Sequence, residues 1–244
     1  MDAAVHFGHR TSKWNAKMAP YIHGTAQGVH IFNLEKTAVL LEEACEFMRK
    51  VISEGKQILV VSTKPQTLEI VPTNCDKLGQ PYVVHKWFGG LLTNFQTIKS
   101  RIRFLKKTKE QMATGEIEKY TKKEQVKIRK EITKLQNALG GVEEMSRLPG
   151  AIFVTDVMRD LTAIKEACKL HIPVIAICDS NADPSMVNFP IPANDDAVKS
   201  LRYILGAVFE AMDKGRKSAP AKKIVAKDDN HKPAEEKKEA PKAE

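Results

Sequence analysis

Apolar residues fall into two kinds of pattern along this chain, and their alternation predicts its architecture. Gly28 to Phe32 suits a short strand, and continuous runs occur at 57–62, where Ile58, Leu59, Val60 and Val61 adjoin, and at 82–84, 151–155, 174–178 and 189–191. Such runs read as strands buried on both faces, the pattern of a parallel sheet. Between them apolar positions recur in helical steps at Leu34, Ala38, Leu41, Cys45, Met48 and Ile52, at Leu161, Ile164, Cys168 and Ile172, and at Ala197, Leu201, Ile204, Val208 and Met212. Each stripe predicts an amphipathic helix. A further helix is expected from about Pro65, kinked or shortened by Pro72. The alternation predicts an α/β domain whose right-handed crossovers build one parallel sheet.

A narrower stripe interrupts this scheme. Ile98, Ile102, Leu105 and Met112, then Ile128, Ile132, Leu135, Leu139 and Val142, follow a heptad-like seam. Gly115 separates two helices, Thr121 and Glu124 form a capping box at the second, and Gly140 and Gly141 end it. Packed antiparallel, the pair makes a coiled-coil hairpin about 27 Å long, inserted between the halves of the sheet over 99–142.

Charge singles out the same stretch. Lys99 to Lys134 holds 13 Lys and Arg against 5 Asp and Glu, so it accounts for nearly all of the formal net charge of +9, and the rest of the chain is almost neutral. A solvated arm with mixed charge is the ordinary use of such helices; the one-sided sign here favours an anionic surface. Arg101, Arg103, Lys106 and Lys107 spread around the face away from the Ile98, Ile102 and Leu105 seam and are the candidate contacts.

In 5–22, Phe7, Trp14, Met18 and Tyr21 lie among Arg10, Lys13 and Lys17, with Gly8 and Pro20 expected to prevent a regular element. Aromatic residues among basic ones suit a nucleic-acid contact, and equally a segment packed on the domain. Cys45, Cys75, Cys168 and Cys178 are scattered without a Cys-x-x-Cys pair and read as small core residues of a reducing compartment. The first residues lack the apolar run of a secretory signal, and no run approaches a membrane span. From Arg216 to Glu244 only Ile224 and Val225 are large and apolar, so 216–244 is expected to be a disordered charged tail on a domain of 1–215.

Catalytic motifs are absent where such a sheet would carry them. Neither Thr63-Lys64-Pro65 nor Asp156-Val157-Met158 is a Gly-rich phosphate loop, and Gly89-Gly90 suits a tight turn. His6 and His9 have no neighbouring ligand partner, so no metal and no cofactor is expected. Asp179, Asp183, Asp195 and Asp196 lie in loops after strands and are candidates for carboxylate chemistry, although Asn194 and Asp195 fit the N-cap and first turn of the last helix better. Two other classes can be told apart cheaply. An α/β enzyme would bind a nucleotide or small acid saturably through Asp179 and Asp183, whereas a protein-only scaffold would keep its partner after nuclease treatment.

Several motifs in order resemble one family over about the first 215 residues. They are Val5-His6-Phe7-Gly8-His9 with Trp14-Asn15 and Lys17-Met18, Asn33-Leu34-Glu35-Lys36-Thr37, Thr63-Lys64, Trp87-Phe88-Gly89-Gly90 with Thr93-Asn94, Leu148-Pro149, Ile164-Lys165-Glu166-Ala167, Asp183-Pro184, and Ile191-Pro192 with Asn194-Asp195-Asp196-Ala197. The chain thereby resembles the small-subunit ribosomal protein S-two family in its bacterial form. The resemblance implies a three-layer αβα domain with the inserted hairpin, docked on small-subunit ribosomal RNA near the head-body junction in the cytoplasm, without catalytic activity. It implies neighbouring ribosomal proteins as partners, the messenger-RNA-capturing S-one protein among them where one exists, and neither a membrane nor an obligate homo-oligomer. Ala4 stands where the family commonly has Gly, Ala16 where it has Pro, and Pro65 where it is usually basic. With Arg10, Lys13, Trp14 and Lys17, the residues expected near RNA are Lys64, Lys86 and Trp87 at the sheet edge, Lys and Arg on phosphates and Trp14 or Trp87 on an unpaired base. For Trp87 a place in the core is the stronger expectation.

Overall fold

The computed structural model describes residues 3–218. Its centre is a parallel sheet of β4 (Ile58–Val61), β5 (Tyr82–Val83), β6 (Ala151–Val154), β7 (Val174–Cys178) and β8 (Phe189–Pro192), ordered β5-β4-β6-β7-β8. Both faces are covered, which is why these strands read as unbroken apolar runs. Leu59, Val61, Ile152, Val154 and Ala176 meet Ala163, Ile164 and Ala167 of helix α5 (Leu161–Lys169) on one face. Ile58, Val60, Phe153, Ile175 and Ile177 face α1 (Leu34–Ser53), α2 (Ile70–Leu78) and α6 (Val198–Ser218) on the other.

Of a second sheet, only the strand expected at 28–32 was legible, and it forms as Val29–Phe32. Residues 7–10 and 22–26 form β1 (Phe7–Arg10) and β2 (Ile22–Ala26), which pair antiparallel on either side of β3 (Val29–Phe32). The N-terminal segment is therefore regular in part, contrary to expectation. Its strands are short and lack apolar alternation, so only their partner identifies them. Ala4 takes φ +56°, a left-handed conformation that a glycine would adopt more readily.

Helix α2 starts at Ile70 rather than near Pro65, where only a 3-10 turn forms. Pro72 is the third residue of α2, where its missing N–H falls among the four that no helix satisfies internally; a helix running on from Pro65 would have needed that N–H for the Leu68 carbonyl, so the helix is short, as expected. The buried arc of α1 is Thr37, Ala44, Met48, Val51 and Ile52. Ala38 is exposed and Leu34, Leu41 and Cys45 are half-buried, because α1 settles between α6 and β8 and its inward arc is rotated from the apolar stripe. Cys75 and Cys178 are core residues, but Cys168 is exposed because α5 turns Ala163, Ile164, Glu166 and Ala167 inward. The expected tail begins too early: Arg216 to Ser218 complete α6, and the remainder, 219–244, lies outside the described residues.

Between β5 and β6 the chain forms α3 (Phe95–Ala113) and α4 (Lys122–Leu139), packed on each other. Gly115 is left-handed after α3, and the Thr121–Glu124 capping box opens α4. Ile98, Ile102, Leu139 and Val142 join the sheet's core, while Leu105 and Ile132 are buried outside it and Met112 is exposed. The base of the pair is therefore held by the domain. Gly141 is required there, since a Cβ would lie 2.3 Å from the Tyr82 carbonyl oxygen.

Candidate nucleic-acid interface

Two charged regions are candidates, and they are built differently. The first is the crevice at the carboxyl ends of the strands. The chain steps from β4 out to β5 and then returns to the other side of β4 as β6, so β4 and β6 flank a switch point where α/β sheets receive ligands. In this protein its own side chains fill that place. Lys64, just after β4, is 5% exposed, and its Nζ lies 2.8 Å from Asp195 Oδ1, 2.8 Å from Asp196 Oδ1 and 3.1 Å from Asp156 Oδ2, while donating to the Asp195 carbonyl at 2.6 Å. The hydroxyls of Ser62 and Thr155 join the two strand ends at 2.6 Å.

The N-terminal sheet closes this cluster. His9 on β1 sets Nδ1 3.0 Å from Asp179 Oδ1 and Nε2 3.6 Å from Asp196 Oδ2, and its backbone N–H donates to Ser180 Oγ. The bond to Asp179 holds the His9 pKa above its usual value against the opposing effect of burial. Burial also opposes the Lys64 charge, but the surrounding carboxylates, Asp195 foremost, outweigh it and raise its pKa. Burial, then the charges of Asp179 and Asp156, pushes Asp195 up to about 7 despite Lys64. Four carboxylates thus meet one lysine and one histidine. His9, Asp179 and Asp195 place one ligand atom each within 4.8 Å of one another, a set able to hold a cation. No acid adjoins His9 in sequence; the fold supplies two. Neither Asn194 nor Asp195 is in the cap or first turn of the last helix: α6 begins at Val198, Asn194 accepts from the N–H groups of Asp196 and Ala197 in the loop before it, and Asp195 turns to Lys64.

A second buried carboxylate organises the approach to α3. Glu166 accepts from Trp87 Nε1 at 2.9 Å, from the backbone N–H groups of Gly90, Leu92 and Thr93, and from the Thr93 hydroxyl. These donors outweigh the effect of burial and lower its pKa. Gly90, at φ +85°, makes the tight turn foreseen for the glycine pair. Glu166 was missed because its partners lie more than seventy positions away.

The residues expected at RNA separate accordingly. Lys64 has no donor left for a phosphate, and Trp87 is buried with its indole N–H on Glu166, so both are structural. Arg10, Lys13 and Lys86 are exposed, and Trp14 is 42% exposed with its ring 5.0 Å from that of His30. Lys17 reaches Asp183 Oδ2 at 2.7 Å and Ser185 Oγ at 2.9 Å on the surface, tying the N-terminal segment to the turn before β8.

The second charged region is the helical pair. Arg101 lies over the Phe88 ring at 5.3 Å, Lys106 meets Glu144 at 2.6 Å and Lys109 meets Glu143 at 2.5 Å. Arg103 and Lys107 are exposed, as are Lys119, Lys122, Lys123, Lys127, Arg129, Lys130 and Lys134. Among the described residues no helix is long and apolar enough to cross a membrane.

Comparisons with known proteins agree with one another. A family model described as ribosomal protein S2 matches residues 1–215. The chain is similar to the small ribosomal subunit protein uS2c of Porphyra purpurea, 43% identical over 216 residues that span 88% of this chain and 90% of the relative. It is also similar to small ribosomal subunit protein uS2 of Parabacteroides distasonis, 41% identical over 238 residues covering 98% and 86% of the two chains. The uS2 protein of a Roseiflexus species is 42% identical over 216 residues, 88% and 82% of the two.

Proposed function

The chain belongs to the ribosomal protein S2 family, and from that premise we propose that it docks on small-subunit ribosomal RNA near the head-body junction by phosphate contacts and shape. It is a ribosomal protein of the small subunit, a structural constituent that serves translation, and not an enzyme. Its location is the cytoplasm of a bacterial-type cell. The α/β body fixes the geometry, and the helical pair, an antiparallel coiled-coil arm in this reading, widens the footprint. The observation that carries the proposal is the charge distribution: the excess of lysine and arginine is concentrated on the arm's exposed faces, while in the crevice Lys64 is buried with Asp156, Asp179 and Asp195.

Arg101, Arg103, Lys106 and Lys107 on the arm and Arg10, Lys13, Trp14, Lys17 and Lys86 on the body are the contacts in this reading. The ion pairs of Lys17 and Lys106 lie at the surface, where a pair is worth about 0 to 1 kcal/mol, so a phosphate can replace the carboxylate. Neighbouring small-subunit proteins complete the binding site, with the S-one protein among the partners where it exists, and the protein is not an obligate homo-oligomer.

A native extract run on a sucrose gradient at about physiological salt, and again at high salt, tests the reading. Co-migration with the small subunit, released only by strong salt, is expected. A protein that stays wholly at the top of the gradient refutes it.

A further inference from the structure

The arm's two helices use their cations differently. On α3, Lys106 and Lys109 are engaged by Glu144 and Glu143, Arg101 lies on Phe88, and Lys99 sits 5.6 Å from the Phe95 ring centre. These contacts turn four of the cations on α3 toward the protein's own groups at the base of the arm. On α4, Lys123, Lys127, Lys130 and Lys134 recur at steps of four, three and four, and all four are exposed. At 100° per residue they fall within an arc of about 60°, roughly 140° from the seam of Ile128, Ile132, Leu135 and Leu139. Among the described residues no ion pair of the arm involves α4. Glu124, the nearest acid in sequence to Lys123, accepts from Thr121 in the capping box, and Glu131 flanks the row.

We infer that Lys123, Lys127, Lys130 and Lys134 form a phosphate rail, a sequence-independent site for the sugar-phosphate backbone of RNA. The inference rests on the RNA-docking reading above and moves the arm's main contact from α3 to α4. Four ammonium groups along about 16 Å of helix face a polymer that carries a charge every few ångströms, with the side chains free to follow it. No aromatic ring lies in the row to stack on a base and no acid within it offers a protein partner's arginine a mate, so phosphate is the chemistry that fits. Lys123 is the second residue of α4, so it joins the row only if the helix starts where the Thr121–Glu124 capping box fixes it.

The test compares the full-length protein with K123Q/K127Q/K130Q/K134Q, with the same four positions changed to Arg, and with R101Q/R103Q/K106Q/K107Q. Each is titrated with small-subunit ribosomal RNA transcribed in vitro across a salt series, after circular dichroism shows equal helix content. Each phosphate contact adds about 0.7 to 0.9 to the log-log slope of affinity on salt. The α4 glutamine variant is expected to lose about 3 from that slope, the arginine variant to keep the parent slope, and the α3 variant to lose less than the α4 variant. A parent that binds with a steep slope which the α4 variant retains overturns the rail and leaves RNA docking standing. The same retained slope with loss of incorporation into small subunits assigns the row to a neighbouring protein and also overturns it. A parent with no salt-dependent binding overturns the underlying reading and the rail together.

Discussion

Lys64 and the lysines of α4 are the same residue type put to opposite uses. Lys64 is buried at the switch point of the sheet, surrounded by Asp156, Asp195 and Asp196. Lys123, Lys127, Lys130 and Lys134 are exposed on a helix with no such company. In the crevice the charges complete one another, so the place where an α/β enzyme would take its substrate is filled by internal ion pairs. Along α4 the four lysines have no ion-pair partner among the described residues. What a lysine does follows from burial and pairing, neither of which is visible in its local sequence.

The sharpest way to break this contrast is to remove Lys64. Lys64→Met keeps the volume but leaves the buried Asp156 and Asp195 without their cation, and breaking one side of a buried ion pair costs about 3 to 5 kcal/mol. Urea unfolding should show that loss, while the salt dependence of RNA binding by the folded fraction should not change. A stable Lys64→Met protein would mean that the crevice reorganises or takes up a cation through His9, Asp179 and Asp195.

Glu166→Ala probes the second buried anion. It removes the acceptor of Trp87 Nε1 and of three backbone N–H groups between Gly90 and Thr93. An orphaned buried donor costs about 1 to 3 kcal/mol, and partial hydration of the turn brings the expected loss to about 3 kcal/mol. Because that turn leads into α3, amide exchange at Leu92 and Thr93 should rise more than exchange in β7. Uniform loss of protection would reduce Glu166 to a general stabiliser.

What was legible follows from the same distinction between local and distant causes. The buried strands and the arm's two helices are local patterns, written in runs such as Ile58 to Val61 and in steps such as Ile128 to Leu139, so the strand ends were nearly correct, while α3 starts earlier, at Phe95, and Met112 of the expected seam is exposed. Of the β1-β3-β2 sheet only β3 was legible, because strands of four or five residues such as β1 and β2, with glycine and histidine in them, owe their existence to partners. The site suffered more. Lys64 sits beside a proline in a loop and looks free, yet the oxygens that hold it come from Asp195 and Asp196, more than 130 positions on. Asn194 and Asp195 look like a helix start in sequence, yet α6 begins only at Val198, and the two side chains serve the loop and Lys64 instead.

pH dependence sharpens the electrostatic side. A histidine whose folded pKa is raised adds stability that is complete below its unfolded value near 6.5 and is lost as pH rises through the folded value; His9 is of this kind. Asp195 acts in the same direction for the opposite reason: a carboxyl raised to about 7 favours its neutral form in the fold, so stability falls as pH climbs from about 4 to about 7. Asp196, lowered by its bond to Lys64, contributes only above the unfolded carboxylate range and loses that contribution as pH falls. In buffer with a chelator, unfolding free energy should drop between pH 6 and 8 by an amount on the order of 1 kcal/mol, one pKa unit being worth about 1.4. His9→Gln should flatten the upper part of that fall, and a profile that rises with pH would contradict the assignment.

The smallest expected effect has the opposite sign and closes the comparison. Lys123 and Lys127, and Lys130 and Lys134, are four apart on one helix, where like charges repel by about 0.2 to 0.5 kcal/mol per pair. Glutamine is about as good a helix former as lysine. Replacing the four lysines should therefore leave the stability unchanged or raise it by a few tenths of a kcal/mol at low salt, with the gain vanishing as salt screens the repulsion. The lysine of the crevice and the lysines of the arm would then differ in sign as well as size. A row kept in place at a cost to the free protein is what an external anion requires, since the repulsion is relieved only when phosphate arrives. If the glutamine variant were instead less stable by more than about 1 kcal/mol, those lysines would be serving the fold, and the distinction between the two regions would be lost.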